Sequence, residues 1–199
     1  MSLDEVRVIA VVYFAVFIPL LIYIFRKSAL PSWVPTFYIV GIVVCALGWE
    51  LWFTFGWLNG DPVSIRRSEA LNYWLPQNIN WLMNSMGDSG TVLLGGSWLM
   101  WLSHNKNNLI FQKWKWSAFL VLLIWCIGQN IFVEMFLYHD QLAEGKDLSW
   151  APLSPLGPYI NPVLFEFNGR TIMLQSQMPW FILPWFFYRT LINLNSSSD

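Results

Sequence analysis

The chain has 199 residues, of which 56% are hydrophobic and 12% are charged, and its formal net charge at pH 7 is -1. Soluble domains typically carry about 25% charged residues, so this composition excludes an ordinary soluble domain and favours a membrane protein. The nearly neutral charge also argues against a nucleic-acid-binding surface, since such surfaces are strongly basic.

Five segments are apolar enough and long enough to cross a bilayer, whose hydrocarbon core of roughly 30 Å requires about 20 helical residues. The predicted fold is therefore all-α, an integral membrane bundle of about five transmembrane helices that form a single domain over residues 1–199. In chain order, the predicted helices 1 to 5 cover about residues 6–25, 34–57, 79–102, 116–138 and 172–193.

Basic residues in the short loops predict the orientation of the chain. Arg26 and Lys27 follow helix 1, Lys106 follows helix 3, and Arg189 lies near the end of helix 5. Short basic loops face the cytoplasm, so these residues predict a multi-pass protein with a non-cytoplasmic N-terminus. The first segment lacks a small-residue cleavage site, which favours a retained helix over a signal peptide.

Two long loops, 58–78 and 139–171, then fall on the non-cytoplasmic side. The second contains the stretch WAPLSPLGPYINP at 150–162, whose prolines prevent a regular helix and stiffen the backbone. Long loops of this kind often cover a site, which makes 139–171 a candidate lid. An ordinary surface connection is the alternative.

Three carboxylic acids fall inside predicted helices: Glu50 in helix 2, Asp88 in helix 3 and Glu134 in helix 4. A charged side chain at the centre of a bilayer costs about 2.5–3.5 kcal/mol or more, so acids retained there point to function. At 1.5 Å per residue, the three lie roughly 10, 14 and 6 Å deep, all in the half of the bilayer beneath the long loops. The sequence therefore predicts a shared polar pocket in which the three acids are candidate catalytic residues.

Amide side chains lie near the same level. Asn80 and Asn84 stand eight and four residues before Asp88, on one face of helix 3. Gln129 in helix 4 and Gln177 in helix 5 enter the same layer. Asn84, Gln129 and Gln177 are predicted to orient the acids around a substrate. The alternative is hydrogen bonding between helices, which contributes less than about 2 kcal/mol for each bond.

Acids in an apolar pocket suit proton-initiated chemistry. A protonated carboxyl donates a proton to an alkene or epoxide, and an ionised neighbour takes a proton back. The carbocation formed between these steps is stabilised by tryptophan faces, by about 2 kcal/mol or more when desolvated. Tryptophans also form belts at membrane interfaces, which is the alternative role for the candidates. The candidate substrate-binding tryptophans are Trp49, Trp52, Trp81 and Trp180.

No metal and no cofactor are expected. His104 and His139 lie in loops, and no predicted helix carries paired histidines, so a haem or di-metal centre inside the membrane is disfavoured. The sequence also contains no phosphate-binding loop and no dinucleotide fingerprint.

Several short motifs resemble the EXPERA superfamily, which includes the emopamil-binding sterol isomerases. They are ELWF at 50–53, Asp88, GQ at 128–129 with an acid near Glu134, and PWFILP at 179–184. The resemblance spans about residues 36–192 and implies a helical membrane fold that handles protons on a sterol. It places Trp180 beside the substrate cation and Gln177 at an asparagine one turn earlier. Ala46 stands where those isomerases have a histidine.

The stretch GWELWF at 48–53 is also similar to the membrane terpene cyclases of meroterpenoid and indole-diterpenoid pathways. Those proteins carry a Trp-Glu pair in a helix, followed by an aromatic residue. They use paired acids to protonate an epoxide or alkene and so trigger ring closure, and they usually have more than five helices.

The sequence thus predicts an integral membrane enzyme, an isomerase or a terpene cyclase, that performs proton-initiated carbocation chemistry on a sterol or terpenoid. Glu50 and Asp88 are the predicted proton donor and acceptor, in either order. A terpene cyclase proper, a non-enzymatic lipid- or sterol-binding protein and a small subunit of a membrane complex stay open as alternatives. The expected partners are a lipophilic small molecule and membrane lipids but no nucleic acid, and a homodimer is left open.

Overall fold

A computed structural model describes residues 1–56, 60–146 and 161–196. These residues are mostly helical, with one antiparallel hairpin. Two π-helical segments, π1 (Asp88–Leu94) and π2 (Val133–Tyr138), join α6 to α7 and extend α8. The other elements are α1 (Leu3–Arg26), α2 (Val34–Leu47), α3 (Trp49–Phe55), α4 (Val63–Arg66), α5 (Glu69–Trp74), α6 (Gln77–Gly87), α7 (Gly95–Ser103), α8 (Trp116–Phe132), β1 (Val163–Phe167), β2 (Arg170–Met173) and α9 (Leu174–Ser196).

Among the described residues, two helical segments are long and apolar enough to cross a membrane, Leu3–Ala29 and Trp116–Tyr138. The pair α2 and α3 makes a third if it is one bent span. The described helices also occupy the third and fifth predicted segments, as a run over 77–103 and as α9, and both contain several polar residues. The finding of two to three such helices is compatible with a membrane protein.

The bend between α2 and α3 measures 49° and occurs at Gly48. Gly48 has φ -87° and ψ -122°, and a Cβ atom there would lie 2.8 Å from the carbonyl oxygen of Val44. Since a side chain at this position collides with the preceding turn, a glycine allows the bend. The bend sets the direction in which α3 presents Trp49 and Glu50.

The helical run α6–π1–α7 lies at the centre of the molecule and packs against α1, α2 and α8. The Ser89 hydroxyl in π1 donates to the Tyr38 carbonyl of α2 at 2.7 Å, and the Thr91 hydroxyl donates to the Ala15 carbonyl of α1 at 2.7 Å. A Cβ atom at Gly41 would lie 2.2 Å from Ser89 Oγ, so the small residue permits this close approach.

Polar contacts gather the N-terminus and the two long loops at one end of the molecule. Ser2 and Glu5 form a capping box at the start of α1, and Glu5 also accepts from the Ser68 hydroxyl. Asp140 forms ion pairs with Arg7 of α1 and with Arg170 of β2. The side chain of Asp140 is almost fully buried, while the side chains of Arg7 and Arg170 are partly exposed.

The hairpin of β1 and β2 is an element that the sequence did not predict. The predicted loop 139–171 contains this antiparallel pair, and β2 extends to Met173, where α9 begins at once. Residues 147–160, with most of the proline-rich stretch, lie outside the described residues. The role of 139–171 as a lid therefore stays a prediction.

The largest buried apolar cluster joins α7, α8 and α9 at the end that carries residues 104–115. Tyr188 is fully buried there, and its hydroxyl donates to the Ile110 carbonyl at 2.7 Å. The acids lie toward the other end of the bundle, near the long loops, so the dense apolar packing supports the site from one side.

Candidate functional site

A cavity of about 240 Å³ lies between α1, α3, α6 with π1, and α8 with π2. Its wall is mostly apolar, and its polar groups belong to a few acid, amide and hydroxyl side chains. The lining residues are Val8, Val11, Val12, Ala15, Glu50, Phe53, Asn80, Met83, Asn84, Gly87, Asp88, Thr91, Val92, Trp125, Gln129, Phe132, Val133, Leu137, Tyr138 and Gln141. Two of the three predicted acids, Glu50 and Asp88, thus face one chamber.

Glu50 lies in the first turn of α3 and is 3% exposed. The Thr54 hydroxyl, one turn later, donates to Glu50 Oε2 at 3.5 Å, which is a long hydrogen bond. Asn84 of α6 lines the same cavity and interacts with this carboxyl. The role of Asn84 in orienting an acid stays a prediction.

Asp88 begins the π1 segment and is half-buried. The indole N–H of Trp49 donates to Asp88 Oδ2 at 2.8 Å and ties α3 to π1. Trp180 of α9 packs edge-on against Trp49, with ring centroids 5.1 Å apart. Asp88 lines the same cavity as Glu50. π-helical turns occur frequently at functional sites, and here the turn places an acid against the cavity.

Glu134, the third predicted acid, lies in π2 and is fully buried. Its carboxyl accepts from the Met173 backbone N–H at 3.0 Å, from the Gln177 amide at 2.7 Å and from the Ser176 hydroxyl. Neither Glu134 nor Gln177 is among the residues that line the cavity. Together they connect π2 to the first turn of α9.

None of the four predicted tryptophans is among the residues that line the cavity. Trp49 and Trp180 form the pair that supports Asp88. Trp81 donates its indole N–H to the Ala46 carbonyl at 2.8 Å, and Trp52 is half-buried on α3. Gln129 does line the cavity, and its amide donates to the Cys126 carbonyl at 2.9 Å.

Sequence reasoning missed several lining residues. Trp125 of α8 lines the cavity and donates its indole N–H to the Val92 carbonyl at 3.0 Å. Tyr138, at the end of π2, also lines the cavity and packs against Phe53 with ring centroids 4.8 Å apart. The α1 residues Val8, Val11, Val12 and Ala15 have helical i, i+3, i+4, i+7 spacing, which was the available signal for a shared face.

Two buried arginines near this site were also missed. Arg66 is fully buried, donates to the carbonyls of Asp61 and Phe53, and lies 4.9 Å from the Phe53 ring centroid. Arg67 is 3% exposed and donates to Asn80, which lines the cavity. Burial lowers the pKa of each guanidinium to about 10, so both stay charged at neutral pH.

No family model, curated protein or solved structure matches this chain. Within the described residues, no group of three or more His, Cys, Asp or Glu side chains is arranged to hold a metal ion. The groups that the cavity presents are two carboxyls, several amides and hydroxyls, and the rings of Phe53, Trp125, Phe132 and Tyr138.

Proposed function

We propose that this protein is an integral membrane enzyme that starts carbocation chemistry by protonating an isoprenoid or other terpenoid substrate, with Glu50 and Asp88 as proton donor and acceptor. The observation that carries the proposal is that these two acids, on separate helices, line one mostly apolar cavity. Carboxyls that face one site of low dielectric constant repel each other when both are ionised, and such pairs commonly share one proton.

The proposed chemistry is redox-neutral. The O–H bond of the protonated carboxyl breaks, and its proton forms a C–H bond with one carbon of an alkene. A second alkene of the same molecule then attacks the resulting tertiary cation and closes a ring, or the cation remains on the uncyclised carbon skeleton. The ionised carboxyl then removes a proton from the adjacent carbon, which restores a double bond. The first path is a cyclisation and the second is an isomerisation.

The cavity wall supports a cationic intermediate. Phe53, Trp125 and Tyr138 present aromatic rings to the same chamber as the two acids, and aromatic faces attract cations more strongly when water is excluded. Trp49 and Trp180 act one layer further out by holding Asp88 in place.

The size of the chamber favours an isoprenoid chain over a whole sterol skeleton. Its volume of about 240 Å³ is below the roughly 300–1,000 Å³ of pockets that enclose drug-sized ligands. A chain of a few isoprene units is narrower than a fused tetracycle and bends to fit. Among the two resemblances in the sequence, this supports a cyclase-like reaction more than migration of a sterol double bond.

The proposal includes a five-helix membrane topology. The spans are α1, the bent pair α2–α3, the run α6–π1–α7, α8 with π2, and α9. The polar residues of the third span, such as Asn84 and Asp88, line the internal cavity and not the lipid. In this topology the N-terminus and both long loops are non-cytoplasmic, and the short basic loops after α1 and α7 face the cytoplasm.

The test is turnover by the purified protein in lipid nanodiscs with three probes: farnesylacetone, its terminal epoxide and an 8-ene sterol. In D₂O, protonation of the terminal alkene of farnesylacetone leaves one carbon-bound deuterium in the product. Glu50→Gln and Asp88→Asn are each expected to lower turnover by about 10²–10⁴-fold, the usual contribution of general acid–base groups.

The matched control is Glu69→Gln, which neutralises an exposed acid of α5 on the same side of the molecule. It is expected to keep wild-type turnover. If folded Glu50→Gln and Asp88→Asn variants both keep full activity, the acid–base role is wrong. If the wild type binds the probes and returns every one unchanged, the cavity belongs to a lipid-binding protein.

A further inference from the structure

The Asn80 side chain is held in one orientation by Arg67. The Arg67 Nη1 atom donates to Asn80 Oδ1 at 3.1 Å, while its Nε atom donates to Asn72 Oδ1 at 2.8 Å and its Nη2 atom donates to the Leu75 carbonyl. A guanidinium has only donors, so it must face the oxygen of the amide. The Nδ2 hydrogens of Asn80 therefore point away from Arg67.

Those hydrogens form an orphaned donor on a residue of the cavity wall. Asn80 is 3% exposed and lines the chamber, yet its Nδ2 atom has no hydrogen-bond partner among the described residues. Buried amide N–H groups are almost always paired in folded proteins. A cavity that binds the acceptor atom of a ligand offers such an unpaired donor in its mostly apolar wall.

The charge around this donor selects the kind of acceptor. Arg66 and Arg67 are both buried, and neither forms an ion pair with a carboxylate among the described residues. Arg67 polarises the Asn80 amide through its oxygen, which strengthens the Nδ2 donors. An amide N–H strengthened in this way favours an acceptor oxygen and disfavours a group that would present its own hydrogen.

The position of Asn80 sets the distance between a ligand oxygen bound to its amide and the two acids. Asn80 and Asn84 of α6 and Asp88 at the start of π1 are spaced by four residues and line the same cavity. At 1.5 Å per residue, Asn80 lies roughly 12 Å from Asp88 along the helix. At about 1.2–1.3 Å per bond of an extended carbon chain, this interval corresponds to about nine to ten bonds, which is between two and three isoprene units.

We propose that Asn80, oriented by Arg67, donates a hydrogen bond to a carbonyl-type oxygen at the end of the ligand opposite to the carbon that receives the proton. Naming that ligand a substrate rests on the proposed function; the binding of the oxygen does not. Asn80 is then a specificity-determining residue, Arg67 is a positioning residue that acts through it, and the ligand is an isoprenoid chain that ends in a carbonyl.

The test compares two probes that differ only in the group bonded to one carbon. Farnesylacetone carries a ketone, and its exomethylene analogue replaces the ketone oxygen by a CH₂ group of similar size and shape. Dissociation constants are measured in nanodiscs for the wild type, for Asn80→Asp and for Asn72→Asp. Asn80→Asp keeps an oxygen for Arg67 but loses the donor, whereas Asn72→Asp puts the same charge beside Arg67 on a side chain that does not line the cavity.

The wild type and Asn72→Asp are expected to bind the ketone about tenfold or more tightly than the analogue, and Asn80→Asp is expected to lose that preference. In the wild type, the infrared carbonyl stretch of bound farnesylacetone should lie at a lower frequency than that of the free ketone. In Asn80→Asp it should return to the frequency of the free ketone. Equal binding of both probes by the wild type, or an unshifted stretch, overturns the assignment even if Asn80→Asp does not fold.

The outcomes also separate this inference from the proposed function. A ketone preference that depends on Asn80, without any product, supports the oxygen site and contradicts proton-initiated turnover. Product formation that depends on Glu50 and Asp88, without a ketone preference, supports turnover and overturns the role of Asn80.

Discussion

The three acids that lie within the helices differ in what surrounds them. Glu50 and Asp88 line the cavity, and their described partners are a hydroxyl, an amide and an indole N–H. Glu134 instead receives three donors from the hairpin end and the first turn of α9. A carboxyl with its acceptor positions occupied holds two elements together, while a carboxyl at a cavity wall is available to a ligand.

Trp49 is expected to control the orientation of Asp88. Trp49→Phe removes the indole N–H that bonds Asp88 at 2.8 Å but keeps an aromatic ring against Trp180. Hydrogen bonds to charged groups contribute about 1.5–3 kcal/mol, so we expect turnover per folded molecule to fall by about tenfold or more. Trp81→Phe, which removes an indole bond to a backbone carbonyl away from the cavity, is the control and should keep its rate.

Glu134 is expected to affect stability and not chemistry. Glu134→Gln turns one acceptor into a donor that faces Ser176 or Gln177, so the free energy of unfolding should fall by about 1–3 kcal/mol. Thermal melting in detergent measures this loss, and turnover per folded molecule should stay at the wild-type level. The exposed Glu144→Gln is the control. A normal melting temperature with lost turnover would show that Glu134 takes part in the reaction.

At the scale of helical elements, irregular turns bring the two acids together. The bend at Gly48 directs α3, and the wide π1 turn begins at Asp88. Regular helices over 34–57 and 79–102 would carry the same residues at the same depth but in other directions around the axis. The chamber therefore depends on two local departures from α-helical geometry.

Gly48→Ala tests the bend. The new Cβ atom would lie 2.8 Å from the Val44 carbonyl oxygen, so α3 must shift and carry Glu50 with it. We expect a loss of stability of about 1–3 kcal/mol, which is typical of overpacking, together with a fall in turnover. Gly128→Ala is the matched control, since a Cβ atom on that α8 glycine meets nothing within 4 Å. Wild-type activity and melting in Gly48→Ala would show that the bend does not require glycine.

At the scale of the whole molecule, contacts at one end join segments that are distant in the chain. Asp140 bridges Arg7 and Arg170, and the Ala143 N–H donates to the Arg66 carbonyl at 2.8 Å. The N-terminus, residues 60–76 and the hairpin therefore belong to one polar end, above the cavity. The basic residues near 104–115 lie at the other end of the bundle.

Labelling of single cysteines tests the proposed topology. Lys106→Cys and Glu144→Cys place exposed thiols at opposite ends, while the native Cys45 and Cys126 are buried and should react slowly. In sealed, oriented vesicles, a membrane-impermeant thiol reagent is expected to label the two positions from opposite sides, with Lys106→Cys on the cytoplasmic side. Labelling of both from the same side contradicts the five-helix topology.

The sequence by itself determined that the chain is helical and strongly apolar, because apolar composition over about 20 residues is a local property. It also predicts the depth of Glu50 and Asp88 in the bilayer, since depth follows from position along a helix. The direction of each side chain around its helix depends on the Gly48 bend, the π turns and the packing of four helical segments, which no local pattern encodes. Only the tertiary structure therefore decided that Glu50 and Asp88 share a cavity, that Glu134 joins α9 instead, and that Arg67 orients Asn80.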